Sequence, residues 1–153
     1  MILVPYGAPD EHVLAIARYW VDALAREEYA SVFEALGYSL LYQHNCSGPE
    51  AIERMIKRYR SPDLYPGVET FLVTDWRKAK GGNPNPLQSI IWYEPGQELR
   101  GALSLDLPLN GHWSDLQADF VWFESDTPHD GYRIRLEEIG SPTQRQREYA
   151  DAP

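Results

Sequence analysis

Five residues in one short stretch have the types and spacing to do chemistry: Asp106, His112, Trp113, Asp115 and Asp119. A carboxylate held against apolar and aromatic walls is costly to ionise, so its pKa rises and it can serve as a general base near neutral pH. Asp106 or Asp119 in that role, with His112 assisting, would suit an isomerase or a dehydratase. The same residues also admit a purely architectural account. In it Asp115 caps a corner, Asp119 pairs with Arg133 or Arg135 on a neighbouring strand, and Trp113 packs. With one histidine nearby and no acid–base pair fixed by spacing, the architectural account carries more weight.

The other reactive side chains offer less. His44 and Cys46 lie just before an expected helix start, where a thiol pKa would fall. Nothing around them marks an oxyanion hole or an orienting third group. His12, His44, His112 and His129 show neither H-x-x-x-H nor H-E-x-x-H spacing, so no metal and no cofactor is expected. Gly81-Gly82-Asn83-Pro84 matches no phosphate-binding fingerprint and precedes a strand rather than a helix. A long hairpin loop over 77–87, of the sort that carries recognition, fits it better.

The elements that must position these residues follow from periodicity. Asp10 reads as the N-cap of a first helix, whose buried face is Val13, Ile16, Ala17, Trp20 and Leu24. A second helix fits Glu28 to Leu36, ended by Gly37, so that the pair forms a helix–kink–helix. Tyr38 to His44 reads as a short strand. Ser47 to Glu50 has capping-box spacing with Pro49 in the first turn, opening a helix to about Arg60 with Ile52, Met55, Ile56 and Tyr59 inward. Strands are expected over Val68–Trp76, Gln88–Glu94, Arg100–Leu107, Asp115–Glu124 and Gly131–Ile139, with a turn over Pro108–Trp113. Their short connections favour antiparallel neighbours. Leu103, Leu105 and Leu107 alternate with Ala102, Ser104 and Asp106, and Tyr132, Ile134 and Leu136 with Arg133, Arg135 and Glu137, which gives each strand one apolar face. The fold class is therefore α+β, with one domain over 1–140 and a polar, disordered tail over 141–153.

The chain of 153 residues has net charge −9, spread unevenly. Residues 1–50 carry −5, residues 51–80 carry +3 and residues 81–140 carry −7. An acidic surface repels phosphate backbones, which argues against nucleic acid and suits a cationic protein partner. One cysteine permits no internal disulfide and points to a reducing compartment. No stretch approaches the roughly 18 apolar residues of a membrane span, and Met1–Pro5 lacks the pattern of a signal peptide. A cytoplasmic location is the expectation. Five tryptophans and ten tyrosines supply core, and also anchors for a protein interface.

The element order resembles that of the cone-shaped fold typified by nuclear transport factor two. The resemblance is carried by YWVDALAREEYASVFEALG at 19–37, GPEAIERMIKRY at 48–59 and the strand series to Ile139. It implies N-terminal helices wrapped by a strongly bent antiparallel sheet with a pocket at the wide end. A narrower resemblance lies in LDLPLNGHWSDLQADFVWFE at 105–124 and GYRIRLEEI at 131–139. These segments look like a bacterial family of unknown function, with a W-S-D-L corner and a final Y-x-I-x-L-x-x-I strand. Relatives of that type often sit beside toxin genes, which implies an immunity protein.

The leading expectation is thus a non-catalytic protein-binding module that occludes a partly basic toxin. Asp106, Trp113, Asp115, Asp119, Glu124 and Asp126, with the 77–87 loop, would form its acidic and aromatic surface. A small-molecule pocket or enzyme, and a homodimeric accessory domain, are the alternatives. A deep pocket with a desolvated carboxylate would favour the pocket; a cone filled with side chains would count against it.

Overall fold

The computed structural model describes residues 2–35, 37–38, 48–124 and 130–141. The expected strand beyond Tyr38, the residues His44, Cys46, Ser47, Asp126 and His129, and the tail after Ser141 lie outside them.

Over the described residues the fold is α+β, with three helices packed against a curled antiparallel sheet. Strand β1 is Leu3–Pro5, helix α1 Asp10–Ala25, helix α2 Tyr29–Ala35 and strand β2 Gly37–Tyr38. Helix α3 is Pro49–Lys57, and a 3-10 turn spans Trp76–Lys78. Four long strands follow: β3 Gln88–Trp92, β4 Leu99–Leu109, β5 His112–Phe123 and β6 Gly131–Gly140. The strands run β1-β6-β5-β4-β3, all antiparallel, and the two residues of β2 add in parallel to β6.

Helix α1 buries Val13, Ala17, Trp20 and Leu24 as their spacing predicts, together with Val21 and Ala23, while Ile16 is only partly buried. Fully burying a side chain such as Leu24 is worth roughly 1.5–3 kcal/mol, more than any cap on this helix. Trp20 meets Phe120 of β5 edge to face at 5.0 Å, which docks α1 on the sheet. Asp10 is the first helical residue, not the cap. Pro9 precedes it in an extended conformation without a side-chain cap, and the Asp10 carboxylate accepts from Trp92 Nε1 at 2.7 Å. The kink between α1 and α2 is real, with Glu27 in the left-handed region at φ 58°. Gly37, expected to stop α2, begins β2. Helix α3 has Gly48 at its N-cap and Pro49 inside its first turn, and ends at Lys57, three residues before the expected end. Ile52, Ile56 and Tyr59 are buried and Met55 partly so.

Two strand expectations need correction. Residues 68–76 form no strand. Val73 makes one antiparallel bridge to Leu109, with Thr74 N–H donating to the Pro108 carbonyl and Asn110 N–H to that of Leu72. The bridge stops there for a chemical reason. Pro108 has no N–H to return to Thr74, and Leu72 N–H is taken by the Asn110 side chain instead. The β4–β5 turn is also tighter than Pro108–Trp113. Only Asn110 and Gly111 lie between the strands, at φ 51° and 84°. A two-residue hairpin needs positive φ at both positions, and Asn-Gly is the pair that accepts it most readily.

Tyr59 caps a buried aromatic group. Its ring meets Tyr65 and Phe71 edge to face, and its hydroxyl donates to Asp115 Oδ1 at 2.6 Å. Burial first, then the Asp115 carboxylate, pushes the Tyr59 hydroxyl well above its usual range. Tyr59→Phe keeps the ring and removes the donor, so it is expected to cost roughly 1.5–2.5 kcal/mol. Chemical denaturation compared with wild type would read it. An unchanged midpoint would mean that water replaces the hydroxyl.

Among the described residues no helix is long and apolar enough to cross a membrane.

Candidate functional site: a cleft between the first helix and the sheet corner

A cleft of about 300 Å³ opens where α1 passes the start of β3 and the β4–β5 corner. Four parts of the chain build it. Leu14, Arg18 and Val21 come from one flank of α1, at i, i+4 and i+7. Trp76 and Arg77 come from the 3-10 turn. Pro86, Leu87 and Gln88 come from the end of the glycine-rich loop and the start of β3. Leu105, Asp106, Pro108 and Trp113 come from the corner.

Asp106 is the single carboxylate among these lining residues. Its side chain lies in a stretch of β4, Leu105–Leu109, that is buried at every position, and it is only 6% exposed. Oδ2 accepts from Leu87 N–H at 2.6 Å and from Asn83 Nδ2 at 2.9 Å. Two such donors favour the ionised form. Burial outweighs them, and the carboxylates of Asp115 and Asp119 add to it, so the Asp106 pKa is raised to about 6.

The same bonds fix the loop. Asn83 also donates from Nδ2 to the Ser114 carbonyl and from its backbone to that of Trp113. Trp113 N–H donates to Gly81, Lys80 N–H to Gly111, and His112 Nδ1 lies 2.6 Å from the Lys80 carbonyl. The loop is therefore fastened to the β4–β5 corner as a wall of the cleft. Ser114, fully buried, completes the corner by donating to the Leu107 carbonyl where the β4–β5 register shifts.

No family model, curated protein or solved structure matches the chain.

The structure brings together only part of the cluster singled out in the sequence. Asp106 and Trp113 line the cleft. His112 is exposed and bonded to the loop backbone, outside the lining. Asp115 is turned to Tyr59. Asp119 accepts from Ser104 Oγ and Gln117 Nε2, both at 2.6 Å, and lies opposite Ser104 and Glu138 in the sheet. Arg135, one expected partner of Asp119, pairs with Glu137 at 3.0 Å. Glu124 is exposed and takes a long hydrogen bond from Tyr6 at 3.4 Å. Among the described residues no three His, Cys, Asp or Glu side chains converge for a metal ion.

Arg18 and Trp76 are lining residues that sequence reasoning missed, whereas Arg77 opens the 77–87 loop already singled out. Both guanidiniums lie over the Trp76 ring, at 4.2 and 4.4 Å from its centroid. One signal was available. Arg18 stands in an apolar rhythm between Leu14 and Val21, on the flank of a helix whose buried face had already been located.

Proposed function

We propose that the protein binds a small molecule in this cleft, on the cone-shaped plan typified by nuclear transport factor two. The observation that carries the reading is Asp106, a nearly buried carboxylate with a raised pKa in the wall of an open, largely preformed cavity. Cavities of this size, lined by apolar and aromatic groups with a few fixed polar ones, are the usual form of small-ligand sites. As a proton acceptor Asp106 would also serve isomerase or dehydratase chemistry. Asp119, the alternative base, and His112, the expected assistant, do not line the cleft, so binding rather than catalysis is the function we put forward.

Ligand-detected NMR with a library of small aromatic and aliphatic fragments tests it. Fragments should bind the wild type at millimolar concentration and lose binding in Leu14→Trp, which fills the cleft from a partly buried position on α1. No bound fragment, or binding untouched by Leu14→Trp, would remove the reading.

A second reading, the immunity-type module, has one observation in its favour. β3 ends the strand path, so among the described residues its outer edge has no strand beside it. It carries Ile91, 52% exposed, with Trp92 and Tyr93 each 40% exposed, followed by the exposed acids Glu94 and Glu98. An exposed apolar edge invites strand addition by a partner. On this reading a partner protein recovered by pull-down is lost with Ile91→Lys and weakened at high salt. Retention by Ile91→Lys would exclude the edge as its binding site.

A further inference from the structure

The charges around the cleft differ in how fully they are already answered. Arg77 is neutralised: its two terminal nitrogens take the two oxygens of Asp22 at 2.8 and 3.1 Å, and it also reaches Asp75 at 3.2 Å. Arg18 lies four residues before Asp22 on α1, where an ion pair would be ordinary. Arg77 has taken that carboxylate. Arg18 stacks on Trp76 and donates to the neutral amide of Gln88 at 3.3 Å, and it forms no ion pair among the described residues. An unpaired guanidinium thus lines a cleft in a chain of net charge −9. Elsewhere in the wall, both hydrogen bonds to the Asp106 carboxylate fall on Oδ2, so among the described residues Oδ1 has no protein donor and is open to a ligand's.

We infer that the ligand is a small organic acid: a carboxylate on an apolar, preferably aromatic, body that also bears a hydroxyl group. The carboxylate meets the Arg18 guanidinium in a charge-assisted, two-point contact. The ring packs against Trp113 and the apolar wall of Leu14, Leu105 and Pro108. The hydroxyl donates to Asp106. Each polar group of such a ligand answers a group that the fold leaves incomplete, and an unmatched buried polar group would otherwise penalise binding. This inference rests on the ligand-binding reading and adds the chemical class.

The test uses 4-hydroxybenzoate, its neutral amide 4-hydroxybenzamide, and benzoate, titrated into the whole protein by calorimetry or NMR. The hydroxy acid should bind most tightly. Arg18→Gln should weaken the acid by about tenfold or more and leave the amide unchanged, while Arg18→Lys should recover part of the loss. Equal affinity for acid and amide in the wild type overturns the inference even if Arg18→Gln does not fold, and so does an Arg18→Gln protein that binds the acid normally. The two readings fail differently. If all three probes fail while neutral fragments bind and are lost in Leu14→Trp, the anionic class is wrong and the pocket stands. If nothing binds at all, both fall together.

Discussion

Trp122→Ala is expected to cost roughly 3–5 kcal/mol, the range for deleting a fully buried aromatic ring. Trp122 is 0% exposed and meets Trp92 at 5.1 Å. It sits opposite Gly101 on β4 and Ile134 on β6, in the middle of the three central strands. Gly101 has a specific part in this packing. A Cβ added there would run into the six-membered ring of Trp122, so the strand carries its glycine where the indole lies flat against the backbone. The cavity left by alanine therefore opens between backbone and side chains that cannot easily collapse into it. A fall in melting temperature of about 10 °C or more is expected by calorimetry, given the usual scaling for a chain of this size. Trp122→Phe is the informative control. The indole N–H has no hydrogen-bond partner among the described residues, so losing it costs little, and phenylalanine should be clearly milder than alanine. Equal losses for the two variants would show that a phenyl ring recovers none of the indole's packing.

Asp106 gives the protein a stability that weakens as pH rises. Its pKa is raised from 3.8 to about 6 on folding, so between these values the folded state holds more proton than the unfolded chain. Stability linked to this group is then fully present below about pH 4 and is lost as pH rises through about 6. The difference in pKa corresponds to at most about 3 kcal/mol. The opposite sign, that of an ordinary paired carboxylate, would make the protein stronger with rising pH. Asp106→Asn retains an oxygen to accept from Leu87 and Asn83 and removes the titration. The stability of this variant relative to wild type should rise by about 2–3 kcal/mol from pH 4 to pH 7.5, measured by denaturation at each pH. A constant difference across that range would show that Asp106 ionises as freely in the folded protein as in the unfolded chain.

Much of this architecture could be read from residue order alone, for reasons that also explain the failures. α1, β4, β5 and β6 are long and strongly periodic over much of their length, where one side is the more deeply buried, so the alternation of types reflects a real difference in environment there. The errors fall where a single atom decides. The missing N–H of Pro108 ends the pairing of residues 72–74, although Phe71 and Val73 are both buried in strand-like alternation. Asn110-Gly111 was readable as a two-residue hairpin, but the prolines, glycines and polar residues around it suggested a wider turn. Of the cleft, Asp106 and Trp113 were legible because they lie together in sequence. Arg18 and Trp76 were not, because their grouping depends on how α1 crosses the corner, a long-range relation that no local spacing encodes. The hydrogen bonds of the acids chosen for a surface were hidden in the same way. Asp106, Asp115 and Asp119 each satisfy an internal donor, which a sequence does not reveal.

The two short strands β1 and β2 both pair with β6, the last strand of the sheet. During synthesis this sets a waiting time. β4 and β5, joined by two residues, can pair as soon as both leave the ribosome, and β3 can add to them. Of the described strands Leu3–Pro5 emerges first, and its β6 partner Gly131–Arg133 appears more than a hundred residues later. Until then the growing chain carries an open edge on β5 and a buried-type surface on its N-terminal helices. Its most vulnerable interval is the span of translation between completion of the β4–β5 hairpin and release of β6.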